Sequence, residues 1–238
     1  MNAIPHPSIR AVPFEHIRPS SVSTELLSDR QRHELASIAT VRLLRPQTIL
    51  YEAGMEADCV FILAQGVMKV YRELRNGKRR IMAFLFPADV LGLAERGHYC
   101  NTAEAVTPST LYCVPVERLK ESFRDNFELQ FQFLCKVTHE LRESQRQMMA
   151  MGRRDAPGKV AMFLETLRRN ALLRDDARPG FVWLPMTRAD IASYLGVTPE
   201  SLSRAVTRLT KGGVIDSPDR RHIRILDAAR LHTLAEPS

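Results

Sequence analysis

A chain of 238 residues holds one large domain or two modest ones, at roughly 100–200 residues per domain. Its residues are 45% hydrophobic and 26% charged, which suits a globular protein and excludes a collagen-like, disordered or disulfide-scaffold chain. Lys and Arg outnumber Asp and Glu by 34 to 27, a formal +7 that suggests an anionic partner, nucleic acid or a membrane surface.

Residues 1–24 carry Pro5, Pro7, Pro13 and Pro19 and are expected to form a flexible segment. They hold no apolar core ahead of a small-residue cleavage site, so a cytoplasmic location is expected. The longest apolar runs, such as Ala53 to Val70, are broken by Glu56, Asp58, Gln65 and Lys69. That is too short for a span, and no membrane partner is expected. Ser28 is placed to cap a short helix over Asp29–Ala39. After Pro46 the texture turns β-rich, with short runs at 48–51, 59–63, 67–71, 80–85 and 109–115. Gly54, Gly66, Asn76-Gly77 and Pro87-Ala88-Asp89 separate them, a spacing that predicts a compact antiparallel barrel or sandwich. Asn76-Gly77 predicts a hairpin, since both residue types accept positive φ.

From Val116 to Met151 the pattern is helical and free of glycine. With Phe127 as the first position of a heptad, the seam positions are Phe127, Gln130, Leu134, Val137, Leu141, Ser144, Met148 and Met151. Six of the eight are apolar, which predicts pairing with a second copy through Phe127, Leu134, Val137, Leu141, Met148 and Met151. The alternative is a helix packed on its own roll, a contact for which Phe131, Phe133 and Cys135 lie outside the stripe. Asp155-Ala156-Pro157-Gly158 reads as a break and hinge before a further helix carrying Val160, Phe163, Leu164 and Leu167.

Thr187 followed by Asp190 resembles a capping box, and Gly196 ends the helix it opens. Thr198 caps the next, with Pro199 at its first position and Glu200 in its first turn. Leu202, Val206 and Leu209 take one face, leaving Glu200, Ser203, Arg204 and Arg208 outward. Two short helices about a Gly turn make a helix-turn-helix. The alternative is a helical hairpin whose charges are merely solvated. Arg204 suits O6 and N7 of guanine, Glu200 a cytosine amino group, and Ser203 a base edge or a thymine methyl. Val214-Ile215 and His222–Leu226 flank Ser217-Pro218-Asp219-Arg220 as a hairpin wing. Thr187, Arg188, Thr198, Arg208, Arg220 and Arg221 are the candidate contacts to DNA phosphates.

These residues resemble the Crp/Fnr superfamily of bacterial transcription regulators over about residues 25–230. The resemblance rests on Tyr51–Gly54 with Asp58–Val70, on Pro87–Leu93, and above all on Leu184–Ala192 through Glu200–Arg204. It implies an α+β chain: an N-terminal cyclic-nucleotide-binding-type β-roll (25–115), a long dimerisation helix (116–153) and a C-terminal winged helix-turn-helix (154–238). Glu200, Ser203 and Arg204 resemble the readers of the Fnr/FixK branch, and Pro199 stands where cyclic-AMP-type members carry Arg. The branch implies TTGA-type half-sites in an inverted repeat of double-stranded DNA, a homodimer, and activation of transcription through RNA polymerase.

The sensor half departs from its relatives. A cyclic-nucleotide pocket needs an Arg for the phosphate and an acid for the ribose. Here Asn101 stands at the Arg position, Leu91 or Gly92 near the acid, and Arg96 is displaced. An Fnr-type iron–sulfur cluster needs three N-terminal cysteines, yet residues 1–58 contain none, although Cys113 matches the fourth ligand. Cys59, Cys100, Cys113 and Cys135 show no CxxC spacing and are expected to be reduced, buried or incidental thiols. A metal site assembled from distant loops is the alternative to that. The expectation is therefore a regulator with no cofactor and no metal. An effector-gated regulator is the alternative, with His6, His16, His33 and His98 as the imidazoles available to a haem. No GxSxG, P-loop, HExxH or GxGxxG is present, and no enzyme activity is expected.

Overall fold

The computed structural model of the chain describes residues 35, 37–152, 155–169 and 180–236. The flexible segment expected over 1–24 and most of the helix expected over 29–39 lie outside the described residues. Leu35 and Ser37 are helical.

Ten strands follow: β1 (Thr40–Leu44), β2 (Ile49–Tyr51), β3 (Cys59–Gln65), β4 (Met68–Glu73), β5 (Arg79–Leu85), β6 (Val90–Leu91), β7 (Ala94–Glu95), β8 (His98–Tyr99), β9 (Thr102–Ala105) and β10 (Ser109–Pro115). They form two four-stranded sheets, ordered β1-β10-β3-β6 and β2-β9-β4-β5, with β7-β8 as a small hairpin. β10 takes the centre of the first sheet, antiparallel to both β1 and β3. Phe61, Leu63, Met68, Ala103 and Leu111 are buried, as their β-rich runs require. Lys69 and Glu104 pair opposite one another across β4 and β9 with 3.1 Å between Nζ and Oε1. Both side chains are almost wholly buried, so each needs the other.

The turns obey local rules. Gly66 has φ +93°, and a Cβ there would lie 2.4 Å from the Pro108 carbonyl oxygen. Ala88 also takes positive φ, held because its N–H donates to the Leu63 carbonyl at 2.8 Å while Asp89 accepts from Phe86 N–H at 2.8 Å. At the β4–β5 hairpin only Gly77 has positive φ, and Asn76 does not. Gly77 N–H donates to Leu74 O and Leu74 N–H to Lys78 O, both at 2.9 Å. The expected hairpin is present, closed by a loop that ends in a left-handed glycine.

The stretch from Val116 is two helices rather than one: α1 (Val116–Asp125) and α2 (Phe127–Gly152). Asn126 breaks it, with φ −137°, and its Oδ1 accepts the Leu129 N–H at 3.0 Å as a fresh cap. The next helix, α3 (Ala156–Arg169), contains Pro157 and Gly158 in its first turn. The expected break is present, since α2 ends at Gly152; Asp155 Oδ2 accepts the Gly158 N–H at 2.7 Å, so Pro157 sits in a capped helix start where it loses no bond.

The chain divides into two compact units, one of residues up to Arg72 with Phe84–Leu134, the other of Glu73–Ala83 with Cys135–Ser238. In the second, α3 is followed by β11 (Phe181–Trp183), α4 (Arg188–Leu195), α5 (Pro199–Lys211), β12 (Ile215–Asp216), β13 (His222–Ile225) and α6 (Ala228–Ala235). Val160, Leu164 and Leu167 of α3 are buried with Leu202 and Leu209 of α5 and Leu231 of α6. The Phe163 and Tyr194 rings meet at 5.5 Å. Strands order as β11-β13-β12. The hairpin tip joins this unit through Ser193, whose Oγ donates to Arg79 O at 2.9 Å and accepts from Ile81 N–H at 3.0 Å.

Candidate nucleic-acid interface

Local chemistry sets both helices of the reader. Thr187 Oγ1 accepts the Asp190 N–H at 3.0 Å and donates to the Asp190 carboxylate at 2.9 Å, so α4 opens on a hydroxyl and an acid. Gly196 ends it at φ +65°, a left-handed cap that favours glycine. Thr198 Oγ1 accepts the Ser201 N–H at 3.2 Å, with Pro199 at the first position of α5. Ile191, Ala192 and Leu195 of α4 and Leu202, Ala205, Val206 and Leu209 of α5 are buried. That inward face leaves Glu200, Ser203, Arg204, Thr207, Arg208 and Lys211 exposed on α5.

Arg204 is held by a bond from its Nη2 to Ser201 Oγ at 3.2 Å, which aims the guanidinium along the outer face. A hydrogen bond from Thr198, its own backbone amide and the nearby Arg204 charge hold the Glu200 carboxyl below its ordinary value, so it stays an acceptor. Ser203 is exposed beside Arg204. Three side chains of different hydrogen-bonding character therefore share one solvent-facing surface.

The wing supplies the second wall. Asp219 Oδ1 accepts the N–H of Arg221 at 2.6 Å and of His222 at 2.8 Å, and Oδ2 lies 2.9 Å from His222 Nδ1. These bonds, the Arg221 amide foremost, hold the Asp219 carboxyl below the usual range. Arg220 and Arg221 remain exposed at the tip. A groove of about 770 Å³ runs between α5 and the wing, lined by Arg188, Ser203, Thr207, Lys211, Asp219 and Arg220. Arg188 is half-buried; burial, then the neighbouring Arg220 charge, lowers its pKa. Three cationic side chains around one groove, against the single Asp219 carboxylate, give it a positive potential.

Of the candidate DNA contacts, Glu200, Ser203, Arg204, Arg208, Thr187 and Thr198 are exposed, and Arg188 and Arg220 line the groove. Thr187 and Thr198 are engaged as helix caps. Sequence reasoning missed Thr207 and Lys211, although their spacing of four and eight residues from Ser203 puts them on the same face. It also missed β11, which adds a third strand to the wing.

On α2, Phe127 is 76% exposed, Leu134 59%, Leu141 57% and Met148 60%. Val137 is half-buried, and the Met151 side chain lies outside the described residues. Leu129 and Phe133 take the opposite, buried face, where Phe133 meets the Phe123 ring at 5.3 Å. Phe131 was expected to share that contact but is exposed, stacked 6.5 Å from Phe127. Its four-residue spacing from Phe127 turns it outward.

In the roll, Leu91 is buried, Asn101 half-buried, and Arg96 and His98 exposed. His6, His16 and His33 lie outside the described residues. No helix among the described residues is long and apolar enough to cross a membrane.

The family model of the Crp-like helix-turn-helix domain matches residues 158–234, and that of the cyclic nucleotide-binding domain matches residues 41–126. The transcriptional activatory protein AadR of Rhodopseudomonas palustris is 34% identical over 195 residues, 80% of this chain and 79% of that protein. The nitrogen fixation regulation protein FixK of Bradyrhizobium diazoefficiens is 33% identical over 92% of this chain and 91% of its own. The structure of FixK2 from Bradyrhizobium japonicum superposes with a TM-score of 0.77 at 30% identity, covering 84% of this chain and 99% of that one. The chain belongs to the Crp/Fnr family of DNA-binding transcription regulators, in its FixK branch, and is not an enzyme.

Proposed function

We propose that the protein is a transcription activator that binds a TTGA-type inverted repeat as a homodimer and does so without a cyclic nucleotide or an iron–sulfur cluster. The observation that carries this reading is the joint exposure of Glu200, Ser203 and Arg204 on α5 beside a cationic groove. An Arg, an acid and a hydroxyl on one helix face supply a donor fork, an acceptor and a small contact. A G·C pair with an adjacent thymine presents their complements in the major groove. In this reading Thr187, Arg188, Thr198, Arg208, Arg220 and Arg221 fix the register on the phosphates.

The apolar stripe of α2 supports pairing. Burying each of Phe127, Leu134, Leu141 and Met148 contributes about 1.5–3 kcal/mol, and a dimer counts each twice. Such a sum offsets an association cost of about 4–15 kcal/mol. In this division of labour residues 25–115 form the sensor-type roll, 116–153 join two copies, and 154–238 read DNA, with RNA polymerase as the partner of the bound complex.

Aromatic filling of the roll supports a working state without a nucleotide. The Tyr51 and Tyr99 rings stack at 4.0 Å, with Phe61 at 5.7 Å from Tyr51. A Cβ on Gly92 would meet Phe61 at 2.9 Å, so the backbone there already lies against a ring. Burial pushes both tyrosine hydroxyls up, Tyr99 to about 12, which leaves them neutral.

Selection of bound sequences from random DNA, with protein purified in the absence of any added effector, tests the proposal. The expected product is a TTGA inverted repeat. A single half-site, an unrelated sequence, or enrichment only with cyclic AMP overturns it.

A further inference from the structure

We propose that Cys59 and Cys113 form an oxidisable dithiol, a modification site at which a hydroperoxide closes an intrachain disulfide between β3 and β10. The register makes it geometrically available. Cys113 stands opposite Phe61, and Cys59 opposite Pro115, so the two cysteines are diagonal neighbours of one antiparallel pair. Residues two apart along a strand share a face, so both cysteines project to the same side of the sheet. The sulfurs lie 2.7 Å apart. That separation is within about 0.7 Å of the ~2.05 Å sulfur–sulfur bond, so the two sulfurs are already neighbours before any bond forms.

The surroundings decide how such a pair behaves. Cys59 is 7% exposed and Cys113 2%, which shields them from bulky reagents while each remains the other's sulfur neighbour. Burial, then Cys113 and then the carboxylate of Asp58, pushes the Cys59 thiol up to about 12. Thiolate is therefore scarce at neutral pH, and oxidation is slow beside that of an activated thiol and responds to sustained peroxide. Cys100 and Cys135 are half-exposed and reach reagents more readily. Proximity to a second sulfur, rather than exposure, is what marks out the buried pair.

The step balances with hydrogen peroxide as the two-electron oxidant. One sulfur of the pair, as thiolate, attacks a peroxide oxygen. The O–O bond breaks, and the departing hydroxide takes up the thiol proton as water. The second sulfur then attacks the sulfenic sulfur, the S–O bond breaks, and a second water leaves with the remaining thiol proton. Two thiols and one peroxide become one disulfide and two waters. The bond spans a sequence separation of 54 residues and ties β3 to β10 where β10 passes into α1, beside the bond from Val116 N–H to Asp58 O at 2.8 Å.

The full chain is treated with hydrogen peroxide, quenched with acid, unfolded and alkylated, then digested and analysed by mass spectrometry without reduction. The expected result is a linked peptide pair containing Cys59 and Cys113, alongside any single-thiol oxidation of Cys100 and Cys135. Dithiothreitol removes the link. In Cys59→Ala, and separately in Cys113→Ala, no intrachain link forms; either variant suffices should the other not fold. Absence of that linked pair after peroxide, or a link through Cys100 or Cys135, overturns the proposal. DNA binding takes no part in this readout, so the result is independent of the proposed operator.

Discussion

Arg204→Ala removes the guanidinium that Ser201 Oγ holds at 3.2 Å on the exposed face of α5. No buried group loses a partner, so folding stability should stay within about 0.5 kcal/mol, and a thermal melt checks this first. A bidentate arginine–guanine contact contributes about 1–3 kcal/mol of discrimination in each half-site. A dimer uses it twice, so specific binding should weaken by about 2–6 kcal/mol, roughly thirty-fold to 10⁴-fold, if the half-sites act independently. Affinity for random DNA, set by phosphate neutralisation, should fall far less. The assay is a titration on the TTGA palindrome, on a palindrome substituted at its G, and on random DNA, each at two salt concentrations. Arg221→Ala is the contrast. It should weaken all three DNAs alike and flatten the salt dependence by about one unit for each phosphate that is no longer neutralised. Equal weakening by Arg204→Ala on all three would make Arg204 a phosphate contact and withdraw α5 as the base reader.

The double variant Leu134→Lys with Leu141→Lys should fold, since both side chains are exposed on the single chain, yet sediment as a monomer that no longer binds the palindrome. Burying those charges in a paired seam costs several kcal/mol, so a dimeric double variant would refute the seam. Thr198→Ala should destabilise by about 1 kcal/mol by removing the cap on Ser201 N–H. It should also let the Glu200 carboxyl rise toward its ordinary value, which carbon-detected NMR titration of that side chain would follow. Gly66→Ala should cost about 2–4 kcal/mol in chemical denaturation, because its Cβ would meet the Pro108 oxygen at 2.4 Å in a backbone of φ +93°.

The parts legible in the sequence are those governed by neighbours a few residues away. Thr187, Gly196 and Thr198 announce their helices because a cap is a bond to an amide three residues on, or a backbone conformation that one residue type favours. β10 could be bounded at Ser109–Pro115 because its residues are almost all buried and turns flank it. β1 could not: Thr40–Leu44 is half-exposed, with Arg42 at its middle, and it becomes a strand only because β10 offers an edge 69 residues further on. β11 is a three-residue strand that exists through its pairing with β13. The contact of Cys59 with Cys113 was equally invisible, since spacing alone says nothing about which strands lie side by side. The break at Asn126 was hidden for the opposite reason, as an apolar stripe continues across it and only the backbone turns.

β13 lies between a strand that precedes the helix pair and a strand that follows it, and Leu184 N–H at the end of β11 donates to Arg221 O at the wing tip at 2.6 Å. The strand before the helix pair and the strand after it are thus tied to the same wing strand. A frame tied in this way leaves compliance to whatever it grips. On the operator proposed above, base steps between the points of contact would then take up the misfit, and pyrimidine–purine steps yield at the lowest cost. Under that proposal an operator would be chosen partly by its mechanics.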